Sequence, residues 1–277
     1  MINFANPKSE YLQNKKKIDL AIRNTLLSND YILGKSVKKF EEKFSKYNRC
    51  KYSIGVSSGT EAIIIALKSL DIKRGDEIIT TSHTAYATVA AITEIGAKPI
   101  LVDIENNNFN MKHDEIDKNL TKKTKGVILV HLYGMVADVK KIKEICQKNK
   151  IFLIEDCAQA HGAEFNGKKV GTFGDFGTFS FYPTKNLSTF GDAGAIITNN
   201  SKFYKRAKLF REYGWIKKNV GILKSINRRM DEIHAAILNV KLNYLNENNK
   251  KREKIAKLYS DKIQNKDIIL PQAIADT

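Results

Sequence analysis

The sequence has little cysteine and no long apolar run. The chain of 277 residues contains three cysteines, an odd number whose spacing fits neither a disulfide framework nor a set of metal ligands, so we expect no metal site. The longest apolar run covers residues 62–67, far short of the ~20 residues that a transmembrane helix requires. Residues 1–8 lack the apolar core of a secretory signal peptide. These absences favour a cytoplasmic protein that does not enter a membrane.

Acidic residues are also scarce relative to basic ones. There are 47 lysines and arginines against 30 aspartates and glutamates, which gives a net charge of +17 and raises the question of nucleic-acid binding. However, the lysines are scattered from end to end with acidic residues between them, and the sequence contains no helix-turn-helix, zinc-finger or RNA-recognition signature. We therefore expect no nucleic-acid partner. The positive field would instead attract a small, doubly negative substrate.

Short apolar segments alternate with helical ones over most of the chain. Helices are predicted at residues 14–28, 35–47, 60–70, 84–95 and 139–149. Strands are predicted at residues 52–56, 77–80, 98–103, 126–131, 151–155, 177–181 and 194–198. This alternation predicts an α/β fold, in which helices cover both faces of an open, mostly parallel, seven-stranded sheet.

The pattern changes near residue 200. We assign residues 1–200, including the N-terminal helices, to a large α/β domain. From about Lys202 the sequence becomes helical and highly charged, with a long helix predicted over about 229–248 and continuing past Lys250. Residues 268–271 look like the start of another strand that has nothing to pair against. We therefore expect residues 201–277 to form linker helices and the beginning of a small, incomplete C-terminal domain.

Lys185 is the candidate catalytic residue. It follows a short apolar strand and Pro183, where a solvated surface lysine is not expected. An amine that is partly removed from water can lose its proton near neutral pH and attack a carbonyl group. Lys185 is therefore a candidate Schiff-base lysine, and the alternative is an ordinary solvated lysine in a loop.

A phosphate site is a second candidate feature. Ser58, Gly59 and Thr60 connect a predicted strand to a predicted helix, so their backbone N–H groups and hydroxyls could bind a phosphate. A serine at a helix N-cap is also ordinary structure. Ser180, on the predicted strand before Lys185, offers another hydroxyl.

Asp156 supplies the third candidate feature. It lies at the carboxyl end of a predicted buried strand, the end at which open α/β sheets bind their ligands. A carboxylate at this place could keep a pyridinium nitrogen protonated, or it could simply cap the next helix. His161, five residues further on, could act as a base or pack as a buried histidine.

A phosphate-binding turn, a strand-end aspartate, and then a hydroxyl and a lysine follow one another in the order found in pyridoxal-phosphate enzymes of fold type I. With these features, the sequence resembles the DegT/StrS family of sugar-nucleotide aminotransferases from residue 1 to about residue 270. The segments that carry the resemblance are 30–34 (DYILG), 56–60 (VSSGT), 75–77 (GDE), 131–134 (HLYG), 155–162 (EDCAQAHG), 179–187 (FSFYPTKNL) and 227–232 (NRRMDE).

The resemblance implies pyridoxal 5′-phosphate (PLP) as cofactor and a role for each matching residue. Lys185 would hold the cofactor covalently and later move the proton, while Asp156 would pair with the pyridine nitrogen and Gln159 would lie against the ring or its phenolic oxygen. The phosphate would be held by Ser58, Gly59, Thr60 and Ser180. Asn227 would reach the cofactor phosphate of the neighbouring subunit, which implies a homodimer with shared active sites.

The sequence departs from the family pattern where an aromatic residue usually stacks on the cofactor. The segment reads Ser-His-Thr-Ala-Tyr over residues 82–86, with alanine at the aromatic position. His83 or Tyr86 could supply the stacking face instead, and the sequence leaves both open.

The implied reaction moves an amino group from an amino acid, in this family usually glutamate, to a keto-deoxysugar linked to a nucleotide, as in amino-sugar synthesis for surface polysaccharides. A sugar 3-dehydratase is the nearest alternative, but those family members carry histidine where this chain has Lys185. A regulatory or inactive protein on the same scaffold is another alternative. Such a protein should carry an added DNA-binding module or lack the catalytic groups, and neither is seen in the sequence.

Overall fold

The computed structural model describes residues 5–272 and is built around a seven-stranded sheet. The sheet contains β1 (Tyr52–Val56), β2 (Glu77–Thr81), β3 (Lys98–Val102), β4 (Thr124–Val130), β5 (Phe152–Asp156), β8 (Phe176–Ser180) and β9 (Gly194–Thr198). Its strand order is β1-β9-β8-β5-β4-β2-β3. β9 is antiparallel to both of its neighbours, and the other pairs are parallel. The predicted α/β class and the mostly parallel sheet are confirmed.

Nine α-helices accompany the sheet in the described part of the chain. They are α1 (Pro7–Leu26), α2 (Lys35–Tyr47), α3 (Gly59–Ser69), α4 (Tyr86–Glu94), α5 (Asp114–Lys118), α6 (Val139–Asn149), α7 (Ser201–Arg211), α8 (Glu232–Lys241) and α9 (Leu245–Lys262). Short 3₁₀ turns cover Leu132–Gly134 and Leu242–Tyr244. Two small hairpins pair β6 (Glu164–Phe165) with β7 (Lys168–Lys169) and β10 (Trp215–Lys217) with β11 (Val220–Gly221). None of the helices in residues 5–272 is both long enough and apolar enough to cross a membrane.

The core lies on both faces of the sheet because successive strand residues point to opposite sides. In β5, Leu153 packs in the cluster that includes Phe40 and Phe44 of α2, while the next residue, Ile154, packs in the cluster that includes Ile65 of α3. The same division occurs in β2, β4 and β9. Burial on both faces explains why these strands are apolar runs rather than alternating patterns.

The region after residue 200 differs from the sequence prediction in two places. The long predicted helix is divided into α8 and α9 by the 3₁₀ turn at Leu242–Tyr244. The β10–β11 hairpin occupies a segment that was expected to be helical, and that expectation is wrong. The hairpin is favoured by Gly214 and Asn219, whose φ angles of +72° and +66° break a helix and close a tight turn.

The strand expected at residues 268–271 is also absent. No strand among residues 5–272 pairs with this segment, and an unpaired strand is not stable. Instead, the N–H of Gln272 donates to the carbonyl of Asn107 at 2.7 Å. The division of the chain near residue 200 into two domains remains a prediction.

Candidate active site

The candidate residues lie at one edge of the sheet. Ser58 follows β1, His83 follows β2, Asp156 ends β5 and Ser180 ends β8. β1 and β8 are both antiparallel to β9, so they run in the same direction as each other and as β5 and β2. The carboxyl ends of these strands therefore converge, which is where ligands bind in open α/β sheets.

The phosphate-binding turn is packed directly against the end of β8. Ser58 is the N-cap of α3, and its Oγ accepts the N–H of Glu61 at 3.1 Å. A Cβ added to Gly59 would come within 2.6 Å of the Cβ of Ser180, so only glycine permits this approach. Thr60 is the second residue of α3. The three consecutive residues and Ser180 thus form one cradle of hydroxyls and helix N–H groups.

Asp156 is a buried carboxylate with two hydrogen bonds. Its Oδ2 accepts the hydroxyl of Thr88 at 2.9 Å, and its Oδ1 accepts the N–H of Ala158 at 3.0 Å. Burial raises the pKa of Asp156, while these hydrogen bonds and the charge of Lys185 act in the opposite direction. Within residues 5–272, Asp156 forms no ion pair. The site therefore suits a cationic hydrogen-bond donor.

Thr88, which bonds to Asp156, cannot be recognised from the sequence. It lies on α4, two residues after Tyr86, and its hydroxyl also lies 3.2 Å from that of Thr84. A threonine within a helix is too common to be noticed from sequence alone. Its role is seen only in the structure, where its hydroxyl lies 2.9 Å from Oδ2 of Asp156 although the two residues are 68 positions apart in sequence.

Lys185 is half-buried and lies in the loop after β8, where its backbone N–H donates to the carbonyl of Tyr182 at 2.9 Å. Burial lowers its pKa, and the negative charge of Asp156 partly opposes that shift. The two groups influence each other without forming an ion pair. The residue also borders a cavity of about 450 Å³ between its loop, the start of α1 and α9. Lys185 therefore has the partly desolvated environment that the sequence predicted.

Gln159 and His83 meet through Tyr133. The Oε1 of Gln159 accepts the backbone N–H of Tyr133 at 2.9 Å, and the phenol of Tyr133 lies 3.1 Å from Nε2 of His83. The His83 ring also lies 6.3 Å from that of Phe109. In contrast, Tyr86 is 81% exposed at the start of α4. Of the two aromatic candidates, His83 is the one held in place by neighbouring rings.

The side chain of Asn227 is exposed and bonds within its own segment. Its Oδ1 accepts the N–H of Arg229 at 3.1 Å, and the adjoining carbonyl of Arg228 accepts the N–H of Ser57 at 3.0 Å. The backbone of this segment is therefore next to the turn that contains Ser58, but no hydrogen bond joins the Asn227 side chain to that turn.

Glu155, next to Asp156, has a structural role that the sequence did not reveal. Its carboxylate accepts the backbone N–H groups of Gly171, Phe173 and Gly174 at 2.8, 2.7 and 2.8 Å. It also lies 3.1 Å from Nε2 of His131, whose Nδ1 accepts the N–H of Ala137. His131, Glu155 and Cys157 each have one atom that could bind a metal ion, and these three atoms lie within 4.8 Å of one another. Since the oxygens of Glu155 are already hydrogen-bonded, this cluster is explained as a buried network.

Curated relatives match nine tenths or more of the chain. The chain is 43% identical over 276 residues to a dTDP-3-amino-3,6-dideoxy-alpha-D-galactopyranose transaminase of Aneurinibacillus thermoaerophilus, a match that spans 100% of this chain and 76% of the relative. It is 41% identical over 251 residues to a pleiotropic regulatory protein of Geobacillus stearothermophilus, which spans 91% of this chain and 68% of the relative.

Solved structures have the same fold. The S. venezuelae protein DesV, crystallised in complex with a ketimine intermediate, superposes with a TM-score of 0.95 at 34% identity, covering 99% of this chain and 74% of that one. NtdA from Bacillus subtilis, with bound cofactor PMP, gives a TM-score of 0.87 at 34% identity and covers 90% of this chain and 57% of that one.

A comparison with protein-family models matches one family over residues 12–277, which is nearly the entire chain. The family resemblance found in the sequence is therefore confirmed. The chain belongs to the DegT/DnrJ/EryC1/StrS aminotransferase family.

Proposed function

We propose that this protein is a PLP-dependent aminotransferase that moves an amino group from an amino acid, glutamate, to a keto-deoxysugar linked to a nucleotide, in amino-sugar synthesis. The observation that carries the proposal is that half-buried Lys185, in the loop after β8, and buried Asp156, at the end of the neighbouring strand β5, shift each other's pKa in a chain of an aminotransferase family. The named relatives that act on nucleotide sugars support this substrate class.

The residues present fit PLP. The cradle that Ser58, Gly59, Thr60 and Ser180 form would hold a phosphate, because the N-terminal N–H groups of α3 and three hydroxyls lie there. The missing Cβ of Gly59 allows Ser180 to come this close. When bound there, PLP supplies an electron sink that stabilises negative charge on the carbon next to the amine. The remaining chemistry belongs to side chains of this chain.

Asp156 would keep the ring nitrogen protonated. A buried carboxylate without an ion-pair partner is costly, and burial raises its pKa accordingly. A cationic N–H next to it would supply the missing partner and favour the ionised carboxylate. The hydroxyl of Thr88 and the N–H of Ala158 fix the orientation of its two oxygens.

Lys185 would bind the cofactor covalently through its amine and move the proton during amino transfer. Both tasks need the neutral amine, and burial lowers the pKa of Lys185 toward that form. Its backbone N–H is held by the carbonyl of Tyr182 in the loop after β8.

His83 and Gln159 would flank the ring. We assign the stacking face to His83 rather than Tyr86, because the phenol of Tyr133 and the ring of Phe109 hold it, whereas Tyr86 is exposed. Gln159 would lie against the ring or its phenolic oxygen. A fall in cofactor affinity for His83→Ala that exceeds that for Tyr86→Ala would support the assignment, and the reverse order would refute it.

The site would be completed by a second copy of the chain. Asn227 is exposed and makes no hydrogen bond to the phosphate cradle of its own subunit. We propose that it reaches the phosphate in the partner of a homodimer, and that the protein works in the cytoplasm.

The test is to incubate the purified protein with PLP, glutamate and a panel of keto-sugar nucleotides, and to follow the products by mass spectrometry. The proposal predicts an amino-sugar nucleotide and an equal amount of 2-oxoglutarate. A deoxygenated sugar without nitrogen would identify a dehydratase. Cofactor binding with no product from any member of the panel would favour an inactive or regulatory protein.

A further inference from the structure

The side chain of Asn186, the residue after Lys185, forms three hydrogen bonds. Oδ1 of Asn186 lies 2.7 Å from Nδ1 of His161, and its Nδ2 donates to the carbonyl of His161 at 2.9 Å and to Oδ1 of Asn249 at 3.0 Å. Nδ2 of Asn249 donates to the same carbonyl at 2.8 Å. Three segments that are far apart in sequence therefore meet at Asn186.

The geometry fixes the protonation of His161. Because the Asn186 amide nitrogen donates in two directions, its oxygen faces the imidazole and Nδ1 must carry the proton. His161 is 1% exposed. The centroid of its ring lies 5.6 Å from that of Phe179 and 5.5 Å from that of Phe181. Burial lowers its pKa to about 4, so the ring is neutral at physiological pH.

Close packing also brings Asn249 to the network. Gly162, with a φ of +92°, follows His161, and a Cβ there would lie 2.8 Å from Nδ2 of Asn249 and 2.6 Å from the hydroxyl of Tyr47. The glycine therefore permits helix α9 to approach the loop after β5. This loop also contains Gln159.

We infer that Asn186 is a positioning residue, which joins the Lys185 loop to the Gln159 loop through His161 and to helix α9 through Asn249, and so keeps the Lys185 amine in its partly buried place. The inference rests on the proposed role of Lys185 in cofactor binding. It goes beyond that role because it identifies what holds the lysine.

Loosening this network would change the environment of the amine. Burial lowers the pKa of Lys185 and Asp156 raises it, while Glu10, Lys251 and Arg252 line the adjoining cavity with both signs of charge. If the loop is released, the amine becomes better hydrated and its pKa rises. Less of the neutral amine is then available at neutral pH.

Trace labelling of the apoprotein measures this directly. The protein is exposed to a small amount of an amine-reactive acetylating reagent across a pH series, and the modification of the Lys185 peptide is followed by mass spectrometry. The midpoint of the profile reports the pKa of the amine, and the plateau reports its accessibility. We expect a higher midpoint in Asn186→Ala and a loss of about threefold or more in relative reactivity at neutral pH.

Two further variants separate positioning from general destabilisation. Asn249→Ala should shift the midpoint in the same direction but less, because it leaves the Asn186–His161 contact intact. The double variant should shift it by less than the sum of the two, since both residues belong to one network. Asn246→Ala is the matched control: it lies on the same helix and its Oδ1 accepts the hydroxyl of Tyr47 at 2.7 Å, so its midpoint should equal that of the native protein.

An unchanged midpoint in both single variants, with native thermal unfolding, would overturn the inference, as would an equal shift in the control. If Asn186→Ala does not fold, the comparison of Asn249→Ala with Asn246→Ala decides alone. Since labelling requires no cofactor, failure of the proposed aminotransferase function would appear separately, as covalent capture of PLP at another lysine.

Discussion

Burial acts in opposite directions on the two side chains at the centre of the site. It raises the pKa of Asp156 and lowers that of Lys185, so each is pushed toward its neutral form. A lysine in this state is ready to react, whereas the aspartate gains its charge only when a cationic partner arrives. The two residues are thus prepared for different tasks by the same low-dielectric environment.

Asp156→Asn should reduce the rate of amino transfer from glutamate by about a hundredfold or more, because an amide cannot hold the ring proton. Single-turnover kinetics with saturating PLP would measure the effect. Thr88→Val is the matched control, since it removes the 2.9 Å hydrogen bond but keeps the carboxylate. A loss in Thr88→Val as large as that in Asp156→Asn would contradict the assigned role.

His161 should make stability depend on pH. Its pKa is about 4 in the folded chain against an ordinary 6.5, so the unfolded chain binds the proton first as the pH falls. The contribution of His161 to the free energy of unfolding is fully present above pH 6.5. It is lost as the pH falls toward 4, which lowers the free energy of unfolding by about 3 kcal/mol over these 2.5 pH units.

Urea unfolding of His161→Gln at several pH values would test this. The glutamine amide can still donate to Asn186, but it does not titrate, so the variant should lose less stability than the native protein between pH 6.5 and 4. His113→Gln, near the surface, serves as the control. Parallel pH profiles for His161→Gln and the native protein would rule out the effect.

At the scale of elements, Glu155 ties β5 to the loop that precedes β8. Glu155→Gln replaces an acceptor oxygen with a donor that faces backbone N–H groups, so we expect a loss of about 2 kcal/mol in the free energy of unfolding. The measurement is chemical denaturation, with exposed Glu253→Gln as control. Equal stability of the two variants would show that the network is not structurally important.

The strands were predictable because their burial on both faces produces apolar runs. The positions of β1 and β9 match the predicted ranges, and the other five central strands agree within two residues at each end. The β10–β11 hairpin was not predictable in this way, because its strands are short and mostly exposed and its geometry depends on turn residues such as Asn219.

Asp156 and Ser180 could be recognised as candidates from the sequence, because each lies at the end of an apolar strand that the sequence predicts. Thr88 and Asn249 were not, because Thr88 acts through a hydrogen bond to Asp156 and Asn249 through hydrogen bonds to Asn186 and His161, all more than sixty positions away. Such contacts leave no local pattern in a sequence. The left-handed backbone of Tyr133, with a φ of +58°, was equally invisible.

At the scale of the whole molecule, the proposed dimer can be tested by mixing inactive subunits. Lys185→Ala and Asn227→Ala should each be impaired as homodimers. In a hybrid dimer, the subunit that keeps Lys185 receives Asn227 from its partner, so one of two sites is intact. After random exchange of equal amounts, about a quarter of the native activity should return.

Activity that stays at the average of the two separate variants would show that each subunit completes its own site. As a control, Asn219→Ala replaces Asn227→Ala in the mixture. Asn219 lies in the turn of the exposed hairpin, so this variant retains both Lys185 and Asn227 and should be active by itself.

Lys185 is the lysine proposed to hold the cofactor. The most direct measurement is to load the protein with PLP, reduce the covalent linkage with borohydride, digest the protein and locate the cofactor mass by peptide sequencing. We expect the label on the peptide that contains Lys185, and its loss in Lys185→Ala. A label on a different lysine, in protein that retains its native fold, would contradict it.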